Sequence, residues 1–236
     1  MPVELNAREL PWDGCINARD LGGLGHVRPG ALVRMEQPRR LTEAGWAAAW
    51  AHGVRTVVDL RDPREYEPER APRPVGITTV RVPLDPVGTP FYERWTKIDN
   101  LSSPLYFQPM LAEHPQSVIT AVRAIACAAP GCVLFHCAAG KDRTGLLALV
   151  LLTLADATPD EIIADYLLSY DRMKQRYEEI GVPDQLAAVT ELLASRGTSI
   201  EASLTATIAS LAMPGFLLEN GLSATELAAL RTRLTS

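Results

Sequence analysis

Cys137 and Arg143 stand with five residues between them inside the run Val-Leu-Phe-His-Cys-Ala-Ala-Gly-Lys-Asp-Arg-Thr-Gly that spans 133–145. A thiol and a guanidinium at that spacing can carry covalent phosphoryl chemistry. The guanidinium grips two phosphate oxygens with its planar fork, and the thiolate attacks phosphorus to give a cysteinyl-phosphate. The pair alone is weak evidence, because four cysteines and twenty arginines in 236 residues give about 0.3 such matches by chance. His136 before the cysteine, Gly140 between the two, and Thr144-Gly145 after the arginine lower that expectation to the order of 10⁻⁶–10⁻⁵. A short loop between a strand and a helix N-terminus turns its backbone N–H groups toward an anion, and the helix dipole adds positive potential. The same groups favour the thiolate form of Cys137. Thr144 is placed to hydrogen-bond that thiolate as it departs.

The elements that must position this loop are legible on either side. Cys132–His136 is a short apolar run typical of a buried strand, and a helix over about 143–155 follows the loop. Upstream, glycine-rich turns over 19–34 lead into a strand near 31–34. Thr42 caps a helix to about His52, stopped by Gly53. Residues 55–61 form a β-branched strand, 62–76 a proline-interrupted loop, and 77–84 another strand ending at Asp85-Pro86. Residues 87–113 are expected to be irregular with short helices, and carry many of the aromatics. A helix over 115–129 precedes the 132–136 strand. Helices over 159–176, 183–195, 200–211 and 224–234 complete the chain. Pro159 followed by Asp160 and Glu161 is a good helix start. Strands alternating with helices, then a helical tail, imply an α/β fold with a central, largely parallel sheet flanked by helices. No linker is evident, so 1–236 is taken as a single domain.

Composition narrows the classes. Net charge is −5, 47% of residues are hydrophobic, 22% charged and 6% aromatic. That excludes a disordered or fibrous chain and argues against a nucleic-acid partner. The longest apolar stretch, 145–155, is about half of the ~20 residues a membrane span needs. The first residues show no signal-peptide core, so a cytoplasmic location is expected, although export without a classical signal is compatible with the sequence. Cys15, Cys127, Cys132 and Cys137 lack zinc-type Cys-x2-Cys spacing, and no metal or other cofactor is expected. Cys15 is the one thiol with a further reading, as a resolving partner for Cys137.

The loop His-Cys-Ala-Ala-Gly-Lys-Asp-Arg-Thr-Gly closely resembles the active-site loop of the cysteine-dependent protein tyrosine phosphatases. Its Lys-Asp pair is similar to the bacterial branch related to dual-specificity and phosphoinositide phosphatases. Asn17-Ala-Arg-Asp-Leu-Gly-Gly23, the 27–34 stretch, Val57-Val-Asp-Leu-Arg61 and the 220–231 tail support that resemblance; residues 200–219 match it least. The resemblance implies metal-free hydrolysis of phosphate monoesters through a phosphocysteine. Cys137 is then the nucleophile and Arg143 the phosphate clamp. The backbone of Ala138, Ala139, Gly140, Lys141, Asp142 and Arg143 is implied to bind phosphate oxygens, with the Lys141 cation over the pocket. Phosphotyrosine in proteins leads as substrate, with phosphoserine/threonine or phosphoinositides as alternatives of the same mechanism.

A leaving oxygen needs a proton donor, and two carboxyls compete for that role. Asp85 follows a strand where dual-specificity relatives place a mobile acid loop. Asp142 lies inside the phosphate loop, where a bound dianion would raise its pKa; alternatively it is ionised and paired to Arg61 or Lys141. Arg61 and Arg64 could recognise a second phosphate or an acidic peptide, or be salt-bridged loop residues. His136 reads as ordering the loop, Asp20 with Gly22-Gly23 as architectural or as an edge of the pocket, and Trp46/Trp50 as core. The 87–113 aromatics are either a lid or simple packing. Two rival classes remain beside the phosphatase: a sulfurtransferase, whose cysteine loop is typically one residue shorter, and a phosphate-binding module without turnover.

Overall fold

The computed structural model describes residues 8–236, so the reading of the first residues as free of a signal falls partly outside the described part. Five strands form one sheet: β1 (Arg19–Asp20), β2 (Leu32–Met35), β3 (Val54–Asp59), β4 (Thr78–Arg81) and β5 (Cys132–His136). Their order is β1-β2-β5-β3-β4, with β1 antiparallel to β2 and every other pair parallel. The expected largely parallel sheet is therefore present. The two-residue β1 has no periodicity for a sequence reading to detect.

Alternation along β5 divides the core in two. Val133 and Phe135 point into the larger cluster, and Cys132 and Leu134 into the smaller one, as a period of two requires. The smaller cluster packs under α1 (Glu43–Ala51), where Thr42 accepts from the Gly45 N–H and Trp46 is buried. The larger is built by α4 (Pro115–Ala126), α5 (Asp142–Leu154), α6 (Pro159–Glu179) and the helices after them, α7 (Gln185–Ser195), α8 (Ile200–Ser210), α9 (Gly215–Glu219) and α10 (Ala224–Thr235). Thr158 with Glu161, and Ser223 with Glu226, form capping boxes that start α6 and α10. Among the described residues no helix is long and apolar enough to cross a membrane; the apolar run after Gly145 is the buried helix α5.

The segment 87–113 is more ordered than expected. It forms α2 (Pro90–Asp99) and α3 (Phe107–Glu113), joined by a turn of 3₁₀ helix at Pro104–Tyr106. Thr89 accepts from the Tyr92 N–H ahead of Pro90, and Ser103 accepts from the Leu105 N–H ahead of Pro104. Each proline is thus a first-turn residue of a helix, where its missing N–H costs nothing. Phe91, Trp95, Tyr106 and Phe107 are buried, and Tyr106, Phe107 and Tyr166 stack edge to face. These aromatics pack the helices together.

Register aligns the site. Met35 pairs with His136, His136 with Asp59, and Asp59 with Arg81. The carboxyl ends of the four parallel strands therefore lie along one edge. The segments after them, starting at Glu36, Cys137, Leu60 and Val82, meet there, as ligand crevices do in open α/β sheets.

Candidate active site

Residues 137–141 turn from β5 into α5, and their backbone is oriented by outside donors. His136 Nδ1 donates to the Cys137 carbonyl at 3.0 Å, which fixes that tautomer. The Gln37 N–H donates to Ala138 O at 2.9 Å, Asn17 Nδ2 to Ala139 O at 2.9 Å, and Arg34 Nη2 to Gly140 O at 2.8 Å. The Gly145 N–H closes the set on Lys141 O at 2.7 Å. Every carbonyl from Cys137 to Lys141 is thus held from outside the loop. Among the described residues, no N–H from Ala138 to Arg143 donates to a protein acceptor, and α5 has no side-chain cap. A loop with its carbonyls tied back and its N–H groups unspent is an anion cradle, and the helix dipole points into it.

Two glycines permit this path. Gly140 has φ +68°, and a Cβ there would lie 2.3 Å from Met35 O. A Cβ on Gly145 would meet the Tyr166 ring at 2.7 Å, so that glycine lets α5 approach α6. Cys137 is 3% exposed at the base of the loop. The Thr144 hydroxyl is buried with no partner among the described residues.

Arg143, at the first turn of α5, is held by two carboxylates. Glu65 receives Nη1 and Nη2 at 2.5 and 2.8 Å, and Asp85 Oδ2 lies 3.3 Å from Nη1. Burial alone would lower the guanidinium pKa, but the Glu65 hydrogen bonds and the neighbouring negative charges raise it. Burial pushes Glu65 upward, and the Arg143 contact outweighs it and holds the acid below its ordinary value. Glu65 is itself fixed by the capping box of the 3₁₀ turn Pro63–Glu65, where its side chain accepts from the Asp62 N–H at 3.0 Å.

The two candidate acids sit differently. Asp85 follows β4 with its side chain 13% exposed; its Oδ1 has no hydrogen-bond partner among the described residues, and desolvation pushes its pKa to about 6 against the pull of Arg143. Asp142 accepts from Tyr166 Oη at 3.1 Å and has Lys141 Nζ 3.7 Å away. Burial raises it as well, with Lys141 and the Tyr166 hydrogen bond opposing. Of the two pairings expected for Asp142, the one with Lys141 is present, whereas Arg61 is engaged elsewhere.

Lys141 and Arg61 are both buried and partnered within the protein, which for Arg61 is the salt-bridged alternative. Lys141 is 1% exposed, with Nζ 3.4 Å from Ser102 O and 4.3 Å from the centre of the Tyr170 ring. Arg61 donates twice to Asp59, at 2.9 and 2.8 Å, and once to Gln37 Oε1 at 2.7 Å. At 5% exposure it ties the walls of the site together and is not free for substrate. Arg64 is an exposed side chain that pairs with Asp62. Asp20 accepts from the N–H groups of Gly22 and Gly30 and faces His52, which makes it a turn-builder. Burial brings His136 down to about 4, so it is neutral at physiological pH. All four cysteines are free; burial lifts the Cys15 thiol to about 12, and it donates to Leu10 O.

Beneath the loop lies a cluster that the sequence reading missed. Asp165 on α6 receives Arg8 at 3.1 Å, Arg19 at 2.9 Å and Arg34 at 2.6 Å, all fully buried. Burial would raise that carboxyl, and the three guanidiniums hold it well below its usual range. Arg19 also donates to Asn17 Oδ1 at 2.6 Å, so the two side chains that grip Ala139 O and Gly140 O belong to one network. A signal existed: Arg34 interrupts an apolar strand, and Asp165 lies on the buried face of α6 between Ile162 and Tyr166.

Comparison with known proteins agrees with this geometry. The family model described as "Tyrosine phosphatase family" matches residues 10–236. A protein of Cupriavidus necator assigned to the tyrosine-protein phosphatases is 33% identical over 222 residues, covering 84% of this chain and 78% of its own. The triple specificity protein phosphatase PtpB of Mycobacterium tuberculosis is 30% identical over 216 residues, covering 78% of this chain and 77% of its own. A tyrosine-protein phosphatase of Nostoc commune is 35% identical over 144 residues, 59% of this chain and 48% of its own. With the match running from Leu10 to the last residue and spanning the Cys137 loop, the chain belongs to the tyrosine phosphatase family.

Proposed function

We propose that this chain hydrolyses phosphate monoesters, phosphotyrosine in proteins first among them, through a cysteinyl-phosphate. The observation that carries the proposal is the loop from Cys137 to Arg143, with its carbonyls held outward and its N–H groups unspent around a buried thiol. In the first step the Cys137 thiolate attacks phosphorus and the P–O bond to the leaving group breaks. The N–H groups and Arg143 stabilise the charge on the equatorial oxygens. Asp85, protonated, gives its proton to the leaving oxygen. In the second step Asp85 takes a proton from water, the water oxygen attacks phosphorus, and the P–S bond breaks to return the thiolate, to which Thr144 donates.

Asp85 is the better general acid. It faces Arg143 with one oxygen unpartnered, and a pKa of about 6 keeps a useful fraction protonated near neutrality. Asp142 spends its oxygens on Tyr166 and Lys141, which suits it to shaping the loop. Broader action on phosphoserine and phosphothreonine is the second reading, favoured by the similarity to a relative named as triple specificity. The full 236 residues act as one domain in this reading.

The test is phosphate release in EDTA from phosphotyrosine, phosphoserine and phosphothreonine peptides and from phosphoinositides, with wild type and Cys137→Ser. Loss of all turnover in the serine variant supports the thiolate mechanism, and the substrate ranking sets the specificity. Turnover that survives Cys137→Ser, or none in the wild type, overturns it. Asp85→Asn should lower kcat/KM by about 10²–10⁴-fold and remove the basic limb near pH 6. If Asp142→Asn does so instead, the acid assignment reverses.

A further inference from the structure

Around the Cys137 loop, Thr144 Oγ1, Asp85 Oδ1 and Tyr106 Oη are buried with no hydrogen-bond partner among the described residues. Thr144 and Asp85 already have roles in the reaction proposed above, and Tyr106 has none. It is 0% exposed. Its ring is accounted for by packing, edge to face on Phe107 with centres 5.0 Å apart and tilted against Trp95 at 6.4 Å. Its hydroxyl is not, because an unpaired buried hydroxyl costs stability and a phenylalanine would fill the same space without that cost.

The turn that carries Tyr106 is fixed against the loop. Asp99 Oδ1 accepts from the Leu101 N–H at 2.9 Å and Oδ2 from the Ser103 hydroxyl, which in turn accepts from the Leu105 N–H at 3.2 Å. Ser102 O accepts from Lys141 Nζ at 3.4 Å, so this segment touches the loop directly. Phe107 stacks on Tyr166, whose hydroxyl donates to Asp142. The charged groups that bear on the Tyr106 hydroxyl are Asp85 foremost, then Asp142, Arg143 and Cys137. Burial, with the two carboxylates behind it, pushes the phenol well above its ordinary value, so it keeps its proton. Asp85 has its Oδ2 3.3 Å from Arg143 Nη1, which leaves Oδ1 as the oxygen without a partner.

The two steps of the reaction ask for different partners. Phosphoryl oxygens need donors, and the loop N–H groups with Arg143 supply them. The attacking water needs acceptors, because it gives up one proton and must hold its other O–H aside while a lone pair faces phosphorus. We infer that Tyr106 is a further catalytic residue, whose hydroxyl orients the hydrolytic water of the second step by accepting from one O–H while Asp85 Oδ1 accepts from the other. The inference rests on the phosphatase reading above and adds one residue to its second step. As the water oxygen bonds to phosphorus, one water proton passes to Asp85 and the P–S bond breaks. The electron pair of that bond returns to Cys137 as the thiolate. The second water hydrogen leaves with inorganic phosphate, and Tyr106 keeps its own proton throughout.

The test compares wild type with Tyr106→Phe on aryl phosphates, following both steps by rapid quench. Breakdown of the cysteinyl-phosphate should slow by about 10- to 10²-fold, the scale of a misplaced reactant. The variant should therefore release a burst of phenol and accumulate protein carrying one phosphoryl group on Cys137, seen by mass spectrometry. Its kcat should become the same for good and poor leaving groups. Its kcat/KM, which ends at formation of the cysteinyl-phosphate, should stay within about twofold of wild type. Thermal unfolding should show the variant at least as stable as wild type, since only an unpaired hydroxyl is lost. An unchanged breakdown rate overturns the inference. So does an equal fall in kcat and kcat/KM, which would place the hydroxyl in the first step or in substrate binding. A variant that unfolds earlier or fails to fold also overturns it, because the hydroxyl would then have a partner inside the protein. Failure of the phosphatase reading is separable, since wild type itself would then release no phenol.

Discussion

Three arginines lie below the phosphate loop and one at its mouth, and the two settings differ in what surrounds them. Below it, Arg8, Arg19 and Arg34 converge on Asp165 with exposures of 4, 2 and 1%. At its mouth, Arg143 rests on Glu65, itself 34% exposed, and on Asp85. The lower group cannot be rehydrated, so its charges are permanent and its hydrogen bonds are spent on backbone: Arg34 on Gly140 O, Arg8 on Asp20 O and Arg19 on Asn17 O. Arg143 keeps some exposure to solvent, and a dianion can compete for its guanidinium. The same ion-pair chemistry thus gives a frame in one place and a ligand clamp in the other, and burial decides which.

The comparison breaks most sharply at Asp165. Asp165→Asn leaves three buried guanidiniums facing a neutral amide, and should cost about 3–5 kcal/mol by denaturant titration. A loss below about 1 kcal/mol would mean that the cluster is not the frame described here. The sign of its pH dependence is fixed by the lowered pKa: the stabilisation is present above about pH 4, the ordinary aspartate value, and is lost as acid titrates the folded carboxyl below it.

Asp85 should behave in the opposite sense. Its folded pKa is raised to about 6, so its contribution is intact below about pH 4 and is lost as the pH rises through 6. Asp85→Asn should therefore stabilise the protein at pH 7.5, by roughly 1–3 kcal/mol, with the gain fading toward pH 4. Denaturation curves at the two pH values decide it, and a variant less stable than wild type at pH 7.5 would contradict the assignment. A gain in stability beside a loss of rate is the signature of a strained catalytic group.

Gly140→Ala should cost about 1–3 kcal/mol, since it combines a left-handed backbone with a contact against Met35 O. Phosphate affinity should fall with it, because Gly140 O is one of the tied carbonyls that keep the loop's N–H groups free. Smallest is Glu65→Gln, which should change stability by no more than about 1 kcal/mol because Glu65, 34% exposed, is partly open to water. Its effect should instead appear as weaker binding of phosphate or vanadate, through a less firmly oriented Arg143. Were Glu65→Gln as destabilising as Asp165→Asn, the distinction between frame and clamp would fail.

The parts that the sequence made legible were those with local signatures. β5 was bounded correctly because an apolar run met a glycine on one side and the polar loop on the other. The starts of α1 and α6 followed from Thr42 and from Thr158-Pro159, whose side chains act within a single turn. The short helices expected within 87–113 are present, but their bounds depend on Thr89 and Ser103, which make Pro90 and Pro104 first-turn residues. Arg61 has two readings from its place after a strand, substrate recognition or a salt bridge, and only the fold brings Asp59 and Gln37 around its guanidinium. Glu65 and Asp165 escaped notice because their partners lie 78 and 131 to 157 residues away.

By itself, then, the sequence determined the chemistry available and the fold able to present it. A cysteine, an arginine and a glycine at fixed spacing between a strand and a helix specify an anion-binding turn, since those relations lie within one local backbone path. Tertiary structure decided which charges are tools and which are supports. Whether an arginine meets water or a buried carboxylate depends on segments brought together from across the chain. Desolvation, which moves Asp85 to about 6 and fixes three guanidiniums around Asp165, is a property of the assembled interior.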